Sequence, residues 1–407
     1  MSGWLGGPDD RVALALGGRT LDYRALGRAV TALDLPADGA PLLVPVGTHP
    51  VDAIVSVLAG LERGRPVLVG TDTRPDEPLP SATELALTTS GSSGAAGRPR
   101  IVARTAASWL ASSAPLAEAS GAARGAVVLI TGPMHVSMHL YAALHALHLG
   151  GTASDEPTAA SVVHATPTKL ARLLDRTAVP ATAVVAGAAP GDGLRARAAE
   201  RGVRLVQYYG AAELSFVLIG DGAGMHAFPG VEVELRPAAA GRELWARSPY
   251  LALDVLGGGM LRRDASGFAT VGDLAEPVAR GDRSEAPRLR VLGRGDAAVT
   301  VAGETVLAED VERRLVELAG VRAAVVLGEP DGLLGQRLVA VVELAEGADP
   351  APALARARDL PAAWRPRRWH HAASLPLTDS GKPARGAVAD ALGSGVYPRI
   401  DLPERGA

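Results

Sequence analysis

The sequence contains no cysteine among its 407 residues. Disulfide bonds, thiolate zinc sites and cysteine nucleophiles are therefore excluded. No apolar run approaches the ~20 residues that a membrane-spanning helix requires. The N-terminal stretch MSGWLGGPDD lacks the basic and apolar segments of a signal peptide. From these absences we expect a cytoplasmic protein with no membrane partner.

The sequence also lacks a large excess of one charge and is poor in aromatic residues. The 41 basic and 44 acidic residues give a formal net charge of −3, which provides no basic surface for a nucleic acid. Aromatic residues make up only 3% of the chain, so the core must consist mainly of alanine, valine and leucine. We expect no nucleic-acid partner.

Helical and strand-like patterns alternate through the first half of the chain. Helical spacing is found in YRALGRAVTAL and PVDAIVSVLAGLERG, which precede the apolar strand candidates APLLVPVG and RPVLVG respectively. The same alternation continues after Ala126. This rhythm predicts an α/β fold with largely parallel sheets built from βαβ units. Short strand patterns beyond Gly220 predict an additional β-rich subdomain.

The segment VLGRGDAAVTVAGETV is the best candidate for a domain boundary. We predict an N-terminal domain of residues 1–295 and a small α/β C-terminal domain of residues 296–407. Beyond the boundary, LAEDVERRLVELAG has helical spacing, with Val311, Leu315 and Leu318 on one face. Roughly 110 residues are enough for an independent domain.

The stretch TTSGSSGAAGRPR (88–100) follows the strand candidate LALTT. Its glycines allow backbone N–H groups to approach an anion, and its serine, threonine and arginine side chains add donors. It is not a Walker loop, because no Gly-Lys-Ser/Thr sequence closes it. From these residues alone, a phosphate-binding loop and a flexible surface loop both remain open.

Further segments accompany this loop in order along the chain: AGAAPG, YYGAAE, GRELWARSP, VGDL, GRGDAAVTVAGETVLAEDVE and LPLTDSGKPAR. The last one holds Lys382 in a glycine loop, although lysine is scarce in this arginine-dominated chain. In order and spacing these segments resemble the adenylate-forming superfamily of acyl-CoA synthetases, peptide-synthetase adenylation domains and luciferases. The resemblance covers nearly the whole chain, and its short first domain is similar to that of compact acyl- or aryl-acid ligases.

The resemblance implies a reaction in two steps. A small carboxylic acid attacks the α-phosphate of Mg²⁺-bound ATP, which gives an acyl-adenylate and pyrophosphate. A thiol of CoA, or of phosphopantetheine on an acyl or peptidyl carrier protein, then takes the acyl group and releases AMP. The resemblance therefore implies ATP and Mg²⁺ as cofactors and a thiol as acceptor.

The resemblance also implies a nucleotide site. The phosphate loop would hold the β- and γ-phosphates, Tyr209 would lie against adenine, and Asp273 would accept the ribose hydroxyls. The positions assigned to ATP or AMP are Thr89, Ser90, Gly91, Ser92, Ser93, Gly94, Arg100, Gly187, Ala188, Ala189, Tyr208, Tyr209, Gly210, Ala211, Asp273 and Arg294.

Catalytic roles carry over onto the same motifs. Lys382 would bridge the attacking carboxylate and the α-phosphate, where negative charge builds up. Glu213 would bind Mg²⁺ through its carboxylate, which is the ligand type that a hard cation prefers. Asp296 would be the hinge about which the C-terminal domain turns between the two steps. Gly303 would line the tunnel through which the acceptor enters.

The segment GPMHVSMHLYAALHALHLGG is expected to line the acid pocket. It carries no acidic residue that could hold an α-amino group, so the resemblance argues against free amino acids and favours aryl or short to medium acyl acids. Its histidines are not spaced as a zinc site. The residues assigned to the acid pocket are His135, Met138, His139, Gly187, Gly210 and Ala212.

Several positions depart from the family pattern. Ala212 stands where threonine is usual, Arg100 replaces a lysine and so changes the donor geometry, and Ala95–Gly97 are additional residues. Thr305 stands where many CoA ligases have a basic residue. Two alternatives therefore stay open: an amide-forming synthetase with an amine acceptor, and a catalytically decayed nucleotide-binding homologue.

Overall fold

The fold is taken from a computed structural model. It describes residues 3–37, 39–89, 100–220, 224–238, 241–258, 261–278, 287–294, 298–301, 304–331, 335–379 and 381–400. None of the helices in these ranges combines the length and the apolar character needed to cross a bilayer.

The first part of the chain contains most of the predicted elements. The elements are β1 (Val12–Leu16), β2 (Arg19–Asp22), α1 (Tyr23–Ala32), β3 (Leu42–Val44), α2 (Pro50–Glu62), β4 (Val67–Val69), β5 (Leu85–Thr89), β6 (Arg100–Arg104), α3 (Ala106–Leu110) and α4 (Ser113–Ser120). Helix α1 begins where the Asp22 carboxylate accepts a hydrogen bond from the Ala25 N–H at 2.6 Å, which is a standard N-cap. Pro50 opens α2, a position that needs no N–H donor.

The second part repeats the alternation of strand and helix. Its elements are β7 (Val127–Leu129), α5 (Ser137–His148), β8 (Thr152–Ser154), β9 (Val162–Ala165), α6 (Pro167–Leu174), β10 (Thr182–Val185), α7 (Asp192–Glu200), β11 (Arg204–Ala211) and β12 (Ser215–Gly220). In the described residues up to 294, strands of two to seven residues follow: β13 (Met225–Ala227), β14 (Glu232–Ala238), β15 (Gly241–Arg247), β16 (Asp254–Leu256), β17 (Arg262–Arg263), β18 (Ala269–Thr270), β19 (Asp273–Pro277) and β20 (Leu289–Arg294).

The C-terminal part forms a separate sheet. Its elements are β21 (Ala298–Val301), β22 (Glu304–Leu307), α8 (Ala308–Val316), β23 (Val321–Asp331), β24 (Gly335–Leu344), α9 (Pro350–Arg356), β25 (Arg368–Ala372), α10 (Arg385–Gly393) and β26 (Arg399–Ile400). Val311 and Leu315 are fully buried and Leu318 packs against the same cluster, as the helical spacing predicts. Helix α8 ends before Leu318, because the Leu318 N–H bonds to the Leu315 carbonyl in a tight turn that closes at Gly320 (φ +84°).

Three sheets carry the fold within the described residues. The largest has the order β17-β18-β15-β19-β20-β13-β12-β11-β10-β9-β7-β8-β1-β2, with β14 beside β15. Its strands β11, β10, β9, β7 and β8 are parallel, whereas the strands from β12 to β20 pair antiparallel. The second sheet has the order β16-β6-β5-β4-β3. The predicted α/β class, with parallel sheets and a β-rich extension, is confirmed.

Helices α2 and α5 join the largest sheet and the second sheet into one core. Helix α2 contacts β1, β3, β4 and α5, and α5 contacts β7, β8 and β9. Both helices contribute alanine, valine and leucine side chains to the same buried cluster. The C-terminal sheet has a core of its own. The boundary at residue 295 stays a prediction, and residues 295–297 lie outside the described ranges.

The parallel strands end at a common edge, and this edge positions the site. The chain leaves β7 through Thr131, β9 through Thr166 and β10 through Gly187. In open α/β sheets, loops at the carboxyl ends of adjacent parallel strands form the usual ligand site.

A substitution at Gly60 of α2 tests how tightly this helix packs against β4. A Cβ atom there would lie 2.1 Å from Val67 Cγ2 and 2.8 Å from the Arg65 carbonyl oxygen. Helix propensity alone favours Gly→Ala by about 0.5–1 kcal/mol, but overpacking costs about 1–3 kcal/mol. We therefore expect Gly60→Ala to lower the free energy of unfolding in urea.

Gly27 provides the matched control, because it lies within α1 and a Cβ there would meet no atom within 4 Å. Gly27→Ala should stabilise the protein by about 0.5–1 kcal/mol. Equal shifts for the two variants would contradict the packing described for α2.

Candidate active site

Lys382 of the C-terminal part lies on the turn that follows β10. Gly187 in this turn has φ +91°, a conformation that favours glycine. A Cβ atom at Gly187 would lie 2.6 Å from Lys382 Cε and 3.5 Å from its Nζ. The missing side chain at Gly187 therefore makes room for the lysine, and two predicted site residues from distant segments meet here.

The loop that carries Lys382 is closed by its own backbone. The Gly381 N–H donates to the Thr378 carbonyl at 2.7 Å, and the Thr378 N–H donates to the Lys382 carbonyl at 2.7 Å. The Thr378 hydroxyl accepts from the Lys382 N–H at 3.2 Å. These contacts fix the direction in which the Lys382 side chain leaves the backbone, and we call the described residues 378, 379, 381 and 382 the lysine loop.

Two polar contacts hold the lysine loop against the parallel strands. The Thr166 hydroxyl at the end of β9 donates to the Gly381 carbonyl at 3.2 Å. His135 Nε2 lies 2.8 Å from Asp379 Oδ2. The same Thr166 oxygen accepts from the Lys169 N–H at 3.4 Å as the N-cap of α6, so the start of α6 and the lysine loop share one anchor.

Tyr209 lies on β11, the parallel neighbour of β10, and contacts Asp273. The Tyr209 hydroxyl on β11 donates to Asp273 Oδ2 at 2.5 Å. Asp273 begins β19 and pairs across the ladder with Arg294 on β20. The residues predicted to contact adenine and ribose are therefore adjacent. The side chain of Arg294 lies outside the described part of the chain.

Glu213 lies in the turn between β11 and β12, where the Leu214 N–H bonds to the Ala211 carbonyl at 3.1 Å. Its side chain is largely buried, with 7% of the residue exposed. A Cβ at Gly210 would lie 1.9 Å from the Ser215 carbonyl oxygen, so only glycine allows this turn. Ser215 adopts φ +56°, which is unusual for a residue with a side chain.

Arg104, which belongs to none of the sequence motifs, supports this turn through hydrogen bonds. It ends β6 and is completely buried. Its Nη1 donates to Ser215 Oγ at 2.9 Å and to Ser108 Oγ at 3.2 Å, and its Nη2 donates to the Ala212 carbonyl. The guanidinium thus holds the residues on both sides of Glu213.

Burial lowers the pKa of Arg104 to about 9, and the nearby Glu213 carboxylate opposes this shift. The group therefore stays protonated at neutral pH. Its carbon Cζ lies 4.9 Å from the centre of the Trp109 ring, an arrangement that stabilises a desolvated cation. A buried charge with three hydrogen bonds is costly to disturb, because its partners would be left unpaired.

The histidines assigned to the acid pocket differ in their surroundings. His135 is partly exposed and faces Asp379, and Met138 is partly buried at the start of α5. His139 is completely buried, and burial lowers its pKa to about 3, so the imidazole is neutral. Its Nε2 lies 3.1 Å from Lys169 Nζ. The pocket assignment of these residues stays a prediction.

Some of the predicted site residues lie outside the described residues. Thr89 and Arg100 pair at the loop end of the β5–β6 hairpin and flank the predicted phosphate loop. Residues 90–99 between them lie outside the described ranges, as do the predicted hinge Asp296 and the predicted tunnel residue Gly303. Their roles, and those of Ala188 and Ala189, stay predictions.

A family model, the AMP-binding enzyme C-terminal domain, matches residues 310–382. The uncharacterized acyl–CoA ligase YhfT of Bacillus subtilis is 28% identical over 331 residues, 73% of this chain and 66% of that protein. A probable 2-succinylbenzoate–CoA ligase of Mycobacterium tuberculosis is 32% identical over 205 residues, 47% of this chain and 49% of the relative. The matches thus span less than two thirds of each curated relative.

Solved structures match over nearly the whole chain. MenE of E. coli, solved with bound OSB-AMS, has a TM-score of 0.74 at 21% identity and covers 94% of this chain and 96% of its own. The amide bond synthetase McbA of Marinactinospora thermotolerans has a TM-score of 0.70 at 22% identity, with 95% and 97% covered. At these identities the likeness establishes the fold.

Arg104→Ala tests the brace beneath Glu213. Removal of the guanidinium leaves a cavity and frees the Ala212 carbonyl, so we expect a loss of about 3–5 kcal/mol in the free energy of unfolding. Arg204→Ala is the control, because Arg204 makes an exposed hydrogen bond to the Ala119 carbonyl at 3.0 Å and should cost less than about 1 kcal/mol. Similar losses for both variants would argue against the brace.

Proposed function

Because the chain belongs to the adenylate-forming superfamily, we propose that it is an ATP-dependent, AMP-forming carboxylic acid ligase. It activates an acid as an acyl-adenylate and passes the acyl group to a thiol. The observation that carries this proposal is the position of Lys382, which lies on the Gly187 turn beside the end of β9.

In the first step, Lys382 neutralises charge as the carboxylate approaches the α-phosphate. Its ammonium group is already held at the carboxyl edge by the lysine loop, so no reorganisation is needed when the transition state forms. Asp273 accepts the ribose hydroxyls, and the hydrogen bond from Tyr209 fixes the orientation of its carboxylate. The adenine lies between Tyr209 and the residues that follow Gly187.

Glu213 is the residue proposed to hold Mg²⁺. Its side chain is a carboxylate, and Mg²⁺ in nucleotide sites usually takes one or two carboxylates together with substrate phosphates. When bound, the ion would neutralise the charge of the pyrophosphate that leaves. The Arg104 brace fixes the turn that carries Glu213, which suits a ligand that must be held in place.

The second step needs a different arrangement of the C-terminal part. We propose that this part turns about Asp296, withdraws Lys382 and opens the tunnel at Gly303 to a thiol. The thiol belongs to CoA or to phosphopantetheine on a carrier protein, and the reaction takes place in the cytoplasm. The proposed acid is an aryl or a short to medium acyl carboxylate, which fits the small side chains expected around the acid.

An amine acceptor is the second candidate. It is favoured by the similarity of the fold to an amide bond synthetase. A decayed enzyme is less consistent with the side chains present, because Lys382, Asp273, Tyr209 and Glu213 are retained together, with Lys382 beside the Gly187 turn and Tyr209 bonded to Asp273.

Lys382→Ala should abolish most of the first step. Acid-dependent exchange between ATP and pyrophosphate should fall about 10²–10³-fold, because a charge-stabilising donor is lost. The assay uses benzoate, 4-hydroxybenzoate, butyrate, octanoate and alanine as probes, and alanine should be the poorest. Arg172→Ala on the exposed side of α6 serves as the control. Unchanged exchange in Lys382→Ala would remove this lysine from the mechanism.

The acceptor is identified by competition. The best acid of the panel is converted to its adenylate in the presence of CoA, a phosphopantetheinylated carrier protein and an amine, and the products are identified by mass spectrometry. A thioester is expected to dominate. Exclusive formation of the amide would replace the leading proposal by the second candidate.

A further inference from the structure

We propose that Lys169 is a positioning residue that docks the lysine loop on the parallel sheet and thereby fixes Lys382 for the first step. This inference rests on the proposed function, because it assigns Lys169 an effect through Lys382. Lys169 lies in the first turn of α6, three residues after Thr166, which follows β9 and caps the helix.

Lysine is rare in this chain, which makes Lys169 unusual. The chain has 41 basic residues, and only two of them, Lys169 and Lys382, are lysines. An arginine replaces lysine elsewhere in the chain, even at position 100. The two lysines come from segments more than 200 residues apart, and the Lys169 stem lies against Gly381, the residue that precedes Lys382. A site that keeps lysine in such a chain uses its slender stem and compact ammonium group, which arginine cannot reproduce.

The stem of Lys169 forms the surface beneath Gly381. A Cβ atom at Gly381 would lie 2.6 Å from Lys169 Cε, 3.1 Å from Cδ and 3.2 Å from Cγ. Carbon atoms do not approach to 2.6 Å, so the lysine stem fills the space that a side chain at position 381 would take. Gly381 also has φ +80°. The loop therefore fits the stem only because residue 381 is glycine.

The head of Lys169 is anchored in the large sheet. Its Nζ donates to the Thr131 carbonyl at 2.9 Å and contacts His139 Nε2 at 3.1 Å. Because His139 is neutral, this nitrogen accepts the hydrogen bond. A Cβ at Gly132 would lie 2.7 Å from Nζ and 2.4 Å from His139 Nε2, so the head is enclosed by the chain. An anchored head makes the stem a fixed support.

Three contacts hold the lysine loop, one at Asp379 and two at Gly381. His135 meets Asp379, Thr166 bonds the Gly381 carbonyl, and Lys169 packs under the same glycine. All three come from the carboxyl edge of β7 and β9. A shift of about 1 Å in a reacting group can cost about 10²-fold in rate, so loss of the support should slow the step that uses Lys382.

The test separates the two half-reactions. We compare Lys169→Ala, which removes the stem, and Lys169→Met, which keeps an unbranched stem without the charge, with Arg172→Ala one turn away on α6. Formation of the adenylate from the best acid of the panel should fall about 10–100-fold in Lys169→Ala and less in Lys169→Met. Transfer from a supplied adenylate to the thiol should stay unchanged in all three. Equal losses in both half-reactions would overturn the proposal.

A double-mutant cycle addresses the route of the effect. If Lys169 acts through Lys382, then Lys169→Ala should cause no further loss of adenylate formation in a Lys382→Ala background. Additive losses would show that Lys169 has a separate role and would contradict the inference.

Docking of the loop can also be measured without activity, because the chain has no cysteine. In a His135→Cys, Asp379→Cys background, a short bismaleimide should join the two thiols, and adding Lys169→Ala should lower the yield several-fold. Adding Arg172→Ala should leave the yield unchanged. An undiminished yield in Lys169→Ala would refute docking by this residue, even if no acid of the panel supports exchange and the proposed function fails.

Discussion

The close approach of two backbones, made possible by two glycines, is the constraint on which the site depends. Gly187 leaves room for the Lys382 side chain, and Gly381 leaves room for the Lys169 stem. Both residues have positive φ angles, so each glycine serves a conformational need as well as a steric one. A methyl group at either position would separate the C-terminal loop from the sheet edge.

The rest of the fold positions the segments that make this close backbone contact. Parallel strands bring Thr131, Thr166 and Gly187 to one edge, and the antiparallel extension brings Asp273 back to Tyr209. Beneath the neighbouring turn, Arg104 links β6, which follows the predicted phosphate loop, to both sides of Glu213. A buried cation at this place orders a turn whose backbone is otherwise strained at Ser215.

Local patterns predict much of the fold, and they select candidate site residues of which the structure brings some into contact. Short-range apolar periodicity is present in helices α1, α2 and α6 and in strand β5, and the caps of the three helices also lie within a few residues. The α/β class follows from the order of these elements. Lys382, Asp273 and Tyr209 were assigned from motifs that the sequence displays directly. The end of α8 was less predictable, since the turn at Leu318 keeps the apolar spacing after the helix has stopped.

Residues that act through distant partners could not be found in this way. Thr166 and the Gly381 carbonyl are 215 positions apart, and Arg104 and Ser215 are 111 apart. No local spacing connects such pairs, so Arg104 and Lys169 appear in the sequence as ordinary basic residues. For Lys169 one signal was present, namely the rarity of lysine in the whole chain.

The small number of polar contacts beneath the lysine loop has a consequence for the energetics of the whole molecule. A hydrogen bond such as those from Thr166 to the Gly381 carbonyl or between His135 and Asp379 contributes about 0.5–1.5 kcal/mol net. These polar contacts therefore contribute only a few kilocalories per mole to the docked position. If the C-terminal part turns as proposed, a ligand that binds the docked and open positions with affinities differing by about 10⁴-fold would reverse their populations, and the contents of the site would then decide where this part rests.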